Sequence, residues 1–255
     1  MKHDLIIRGG KLVTANETYT ADIGIKDGRI ATLGEDLDGN DIINADKKLV
    51  MPGGIEAHCH IAQESANGIM TSDDYETGSI SAAFGGNSCF VPFAAQKKGE
   101  SIASTIAEYD RRAETKSVID YSYHLILTDP NQNVMNELPS AFERGITSFK
   151  VFMTYATRVS DAQFLDILTI ARRHGGLTMV HAENHDMLSW MSNALTKAGY
   201  TEPRYHAPAR PSLAEEEAIN RAISLSKLAN APLMIVHVST PKGAELVARA
   251  RMDGA

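Results

Sequence analysis

At 255 residues, with 43% hydrophobic and 22% charged side chains, the chain has the composition of a globular enzyme and room for one large domain, or a large and a small one. A net charge of −7 and an isoelectric point near 5.7 argue against nucleic acid and anionic membranes as partners, since both require a basic face. No apolar run approaches the roughly 20 residues of a membrane helix, the stretch after Met1 is too short for a secretion signal, and two cysteines, Cys59 and Cys89, make no disulfide framework, so a reducing cytoplasm is the expected compartment.

Residues 1–52 are expected to form a small β unit. Segments 4–8, 11–14, 22–26, 29–33 and 41–44 are short and rich in Ile and Val, and Gly9-Gly10, Asp27-Gly28 and Gly39-Asn40 punctuate them. Asp27-Gly28 between two such segments is a two-residue hairpin signal. The run Lys48-Leu49-Val50-Met51-Pro52-Gly53-Gly54-Ile55 then turns Gly/Pro-rich, as at a passage between structural units.

From residue 53 to 255 short apolar strands alternate with helices. The strands are expected at 55–60, 88–94, 121–127, 148–153, 178–182 and 233–238. The helices are expected at 72–84, 101–115, 134–144, 161–174, 187–198, 213–228 and 241–252. Ser101 ahead of Ile102, Ile106 and Tyr109 reads as a capped start with a helical stripe; Asp161 ahead of Phe164, Leu165 and Leu168 reads the same way. Strands apolar throughout are buried on both faces, which means parallel β wrapped by helices. Six consecutive βα units favour a TIM-type (β/α) barrel, and no Gly-x-Gly-x-x-Gly follows the first strand to support a dinucleotide-binding sheet.

In such a barrel the active site lies at the C-terminal strand ends. His58 and His60 end the first strand, and their spacing puts both on one side of it. His181 ends Leu177-Thr178-Met179-Val180 and His237 ends Leu233-Met234-Ile235-Val236. Imidazole is a common zinc-type ligand, and three strands each ending in His point to one shared site. Lys150 lies inside the apolar run Thr147–Met153, where burial favours the neutral amine. A neutral amine reacts with CO2 to give a carbamate, an anionic group with two oxygens that bridges two cations. A Schiff-base lysine and a lysine reaching out to the rim are the alternatives.

These motifs resemble the dihydropyrimidinase/hydantoinase family of the amidohydrolase superfamily. The similar segments are Met51-Pro52-Gly53-Gly54-Ile55 with His58-x-His60, Ser72-Asp73-Asp74-Tyr75, Gly145 through Tyr155, His181-Ala182-Glu183-Asn184, Arg210-Pro211 with Glu215-Glu216-Glu217-Ala218, and Val236-His237-Val238-Ser239. The resemblance implies a TIM-type barrel with a small β-sandwich portion, and two divalent ions, zinc by preference, bridged by carboxylated Lys150. His58 and His60 would hold the buried ion, and His181 and His237 the exposed one. A shared hydroxide would attack a ring amide carbonyl, with Tyr155 stabilising the oxyanion. It further implies a small cyclic amide or ureide substrate and a homotetramer.

Ala62 stands where dihydroorotases carry Arg, and Tyr155 where allantoinases lack tyrosine, so a hydantoin or dihydropyrimidine ring is expected. An allantoinase-like enzyme and a non-catalytic oligomeric homologue are the alternatives. Glu56-Ala57, Cys59 and the loop 63–71 depart from the usual family pattern. About six of eight βα units fall within the chain, and the strand-eight aspartate that the resemblance implies does not. This polypeptide alone is therefore expected to be inactive or poorly folded, with the edges of the first and sixth strands exposed.

Overall fold

The computed structural model describes residues 2–65 and 68–254. They divide into two compact units, Met1–Gly54 and Ile55–Ala255.

The first unit is one mixed five-stranded sheet built from β1 (His3–Val13), β2 (Thr18–Lys26), β3 (Arg29–Gly34), β4 (Gly39–Asn44) and β5 (Leu49–Val50), in the order β3-β2-β1-β4 with β5 also on β1. This sheet is the expected small β portion. Asp27 and Gly28 both adopt positive φ between Lys26 and Arg29, which pair, the backbone a tight hairpin needs. Gly9-Gly10 does not end a strand as expected. The register shifts between Ile7 and Gly10 instead, and β1 runs on as one bulged strand.

The second unit is a curled parallel half-barrel wrapped by helices. Its strands are β6 (Gly54–Cys59), β7 (Asn87–Ala95), the short β8 (Asp120–Tyr121), β9 (His124–Ile126), β10 (Ser148–Phe152), β11 (Leu177–His181) and β12 (Leu233–Ile235). The order is β12-β11-β10-β9-β7-β6, with β8 on β7. The helices are α1 (Tyr75–Phe84), α2 (Ile102–Ala113), α3 (Gln132–Glu143), α4 (Asp161–Arg173), α5 (His185–Lys197), α6 (Ser212–Ala229) and α7 (Pro241–Met252). No described helix is long and apolar enough to cross a membrane. The expected strand 121–127 is broken after Tyr121, and β8 and β9 pair with different stretches of β7. The cap of α4 is Ser160, one residue before the expected Asp161, with Gln163 completing a capping box. Asp161 instead pairs with Arg221 at 3.0 Å.

Alternation along the strands sorts the core into two layers. Phe149, Val151, Leu125 and Val180 face outward onto the helical stripes of Ile106, Leu138, Ile167 and Ile219. Phe93, Ile126, Met179 and Val236 face inward. Lys150 alternates with Phe149 and Val151 and pairs in register with Ile126 and Met179. Its side chain therefore belongs to the inner layer.

Candidate metal centre

Lys150 is 1% exposed, which rules out a lysine reaching the rim. Its Nζ lies 5.0 Å from the Phe93 ring centre and 5.3 Å from that of Phe152, and no carboxylate pairs with it among the described residues. Burial pushes its ammonium down to about 8.

The four histidines converge around it. His58 lies in β6, and His60 just past its end. His58 and His60 are 5.6 Å apart, His58 and His237 5.7 Å, and His181 and His237 4.6 Å, between ring centres. His181 closes β11. His237 lies two residues beyond β12 rather than at its end, with φ at +40°. Its loop is anchored by Glu215, which accepts from the Ser239 backbone N–H at 2.8 Å, while the Ser239 hydroxyl donates to the His237 carbonyl. Tyr155 also has positive φ, +68°. It sits in a turn closed by the Val159 N–H donating to the Phe152 carbonyl, with its ring 5.1 Å from that of His181.

The electrostatics fit metal ligation. Burial first, then Lys150 and neighbouring imidazoles, hold His58 down at about 4. Burial, His181 and Lys150 do the same to His237. Both rings are neutral near pH 7, the form that donates a lone pair to a metal. No three His, Cys, Asp or Glu side chains already stand as a cage among the described residues; the imidazoles form pairs, and the fifth candidate donor is a lysine. Four imidazoles around a buried amine, with no counter-anion beside it among the described residues, are a poor structural core and a donor set suited to divalent cations.

Several participants escape sequence reasoning. Phe93, wholly buried, stacks on His60 at 4.7 Å and meets His58 edge-on at 4.8 Å, so one ring supports both histidines and the lysine. Gln63 Oε1 accepts from His60 Nδ1 at 2.7 Å. Glu183 accepts from His181 Nε2 at 2.6 Å and from Arg210 at 2.5 Å. Burial would raise the Glu183 carboxyl, but those two donors hold it at about 2. Histidine two residues before a carboxylate is a visible signal for the first contact; Arg210 stands in the recognisable Arg210-Pro211 segment, but nothing local signals its bond to Glu183. A cleft of about 230 Å³ opens here, bounded by Tyr155, His181, Glu183, Arg210 and His237.

Of the departures noted in the sequence, Cys59 is half-buried with its thiol pushed up to about 12 by burial. Ala62 is buried, and its carbonyl accepts from Arg112 at 2.5 Å. Within the loop 63–71, Ala66 and Asn67 lie outside the described residues.

No family model matches the chain. Individual relatives do. A D-hydantoinase of Geobacillus stearothermophilus is 41% identical over 254 residues, 98% of this chain and 54% of the relative. The dihydropyrimidinase of Rattus norvegicus is 34% identical over 98% of the chain and 50% of the relative. The solved dihydropyrimidinase of Brevibacillus agri superposes with a TM-score of 0.94 at 41% identity, covering all of this chain and 56% of that one. The chain is a homologue of the hydantoinases and dihydropyrimidinases. It spans about half the length of the curated relatives it matches.

Proposed function

We propose that the protein containing this chain opens cyclic amide rings, hydantoins or dihydropyrimidines, by metal-assisted hydrolysis. The observation that carries this is the convergence of His58, His60, His181 and His237 on a buried Lys150 that has no carboxylate partner among the described residues, in a homologue of hydantoinases. Two divalent ions, zinc by donor type, would supply a hydroxide near neutral pH and a Lewis acid for the ring carbonyl.

Each residue then has a task. His58 and His60, which pack on Phe93, would hold one ion, and His181 and His237 would hold the other. The neutral Lys150 amine would attack CO2, forming a C–N bond and releasing a proton to solvent, and the resulting carbamate would supply two anionic oxygens to the cations. Tyr155 donates its hydroxyl to the oxygen that gains charge as the carbonyl is attacked. The buried methyl of Ala62 offers no cation for a substrate carboxylate, which favours an uncharged ring.

The test is metal analysis together with ring-opening assays of hydantoin, dihydrouracil and allantoin on the full protein. About two ions per chain and turnover of hydantoin or dihydrouracil are expected. Turnover of allantoin alone would replace the substrate assignment. Absence of both metal and turnover would favour a non-catalytic homologue.

A further inference from the structure

His181, Glu183, Arg210 and Tyr155 close a ring of contacts at the edge of the cleft. The Glu183 carboxylate oxygen Oε2 receives both His181 Nε2 at 2.6 Å and Arg210 Nη1 at 2.5 Å. A proton on Nε2 leaves His181 Nδ1 as the lone pair, and Nδ1 is the atom that faces His237 Nε2, 3.1 Å away. The other end of the network is aromatic. The Arg210 guanidinium carbon lies 5.3 Å from the Tyr155 ring centre, and Tyr155 in turn packs 5.1 Å from His181. Tyr155 needs such support, because its φ of +68° is costly for a residue with a Cβ and the residue is 41% exposed. The Glu183–Arg210 pair is better shielded, at 16% and 27% side-chain exposure.

We propose that Arg210 is a positioning residue that sets the candidate metal ligand and the candidate oxyanion donor together: through Glu183 it fixes the tautomer of His181, and through its flat face it fixes Tyr155. This rests on the hydrolytic function proposed above. Ligating imidazoles commonly hand their second N–H to a carboxylate that fixes ring and tautomer. Here that carboxylate is itself held by a cation with a second duty. Arginine suits it because a guanidinium offers both a fork for the carboxylate and a plane for the ring, whereas lysine offers only a charge.

That difference supplies the experiment, run on the full protein with Arg210→Lys, Glu183→Gln, Tyr155→Phe and the Arg210→Lys/Tyr155→Phe double variant. Two readouts are taken: affinity for the more weakly held ion, followed by chelator competition and the Co2+ absorption spectrum, and the split between kcat and KM. Glu183→Gln is expected to weaken that ion about 10- to 100-fold. Arg210→Lys is expected to keep metal affinity within about threefold, because the charge on Glu183 survives, and to lower kcat about tenfold or more with KM less affected. The double variant is expected to be no slower than Tyr155→Phe within about twofold, because the two residues act as one unit. Effects of Arg210→Lys and Tyr155→Phe that multiply, or an Arg210→Lys metal defect as large as that of Glu183→Gln, would overturn the assignment. Native protein that neither binds metal nor opens a cyclic amide removes the hydrolytic function instead, whatever the variants do.

Discussion

Lys150 is placed where it costs stability. An amine in an aromatic pocket, with no carboxylate beside it among the described residues, gives up hydration for two ring-face contacts alone. Lys150→Met keeps the length and removes the charge. In chelator-treated protein it is expected to raise the urea-unfolding free energy by about 1–4 kcal/mol, and to abolish the metal uptake proposed for the native protein. A loss of stability on that substitution would mean that the amine has a partner the fold depends on. Strand parity makes Lys150 and His58-x-His60 legible in the sequence, because alternation is a rule local to a few residues. Phe93 is not legible: it reads as one more apolar residue in Ser88–Ala94, and only the curl of the sheet brings it beneath three site residues. The Glu183–Arg210 bond hides for a similar reason. Both residues stand in recognisable segments, but the bond crosses 27 residues and depends on how two loops fold over the barrel mouth.

Helix starts are written in local chemistry, and several were open to reading. Ser101 caps α2 as its sequence suggests, whereas α4 begins at Ser160 because Ser and Gln163 make a reciprocal box that Asp161 would not. Asp74 caps α1 and also receives Lys116 at 2.5 Å. The Lys116 hydrogen bond, then that of the Thr77 backbone N–H, holds its carboxyl at about 2. A folded-state value below the unfolded one stabilises above the unfolded value and is lost as pH falls through the folded one. Asp74→Asn retains a good cap and removes the charge. The native chain is therefore expected to exceed the variant in urea midpoint at pH 7, and the gap is expected to narrow from about pH 4 downward and vanish near pH 2. A gap that persists unchanged at pH 2 would mean that the charge of Asp74 does not carry the effect. Strand ends were harder to place: His237 reads as a strand terminus but lies in a left-handed loop that Glu215 holds from another helix.

At the scale of the molecule, the parallel sheet curls until His58 of the first barrel strand and His237 after the last stand 5.7 Å apart. β6 and β12 remain its terminal strands, and ions held at the mouth would tie the two ends together. Zinc with bicarbonate is accordingly expected to raise the thermal midpoint of the native protein, by an amount equivalent to about 2.7 kcal/mol at a hundredfold excess over Kd, and to do so far less in Lys150→Met. An equal shift in both would place the ions elsewhere. The architecture as a whole was legible because six apolar strands alternating with helices admit few arrangements. The bulge that keeps β1 continuous was not, since Gly9-Gly10 reads equally well as a turn.

The same convergence governs the order in which the molecule assembles. Contacts between residues far apart in the chain form late, because loop closure must precede any reward from them. The candidate donors stand on or beside β6, β10, β11 and β12, so the candidate site cannot form until β12 has docked on β11. Ions bound there would act as a closing latch of folding rather than its nucleus, and the inner layer of Phe93, Ile126, Met179 and Val236 would have to bring the chain to that point unaided.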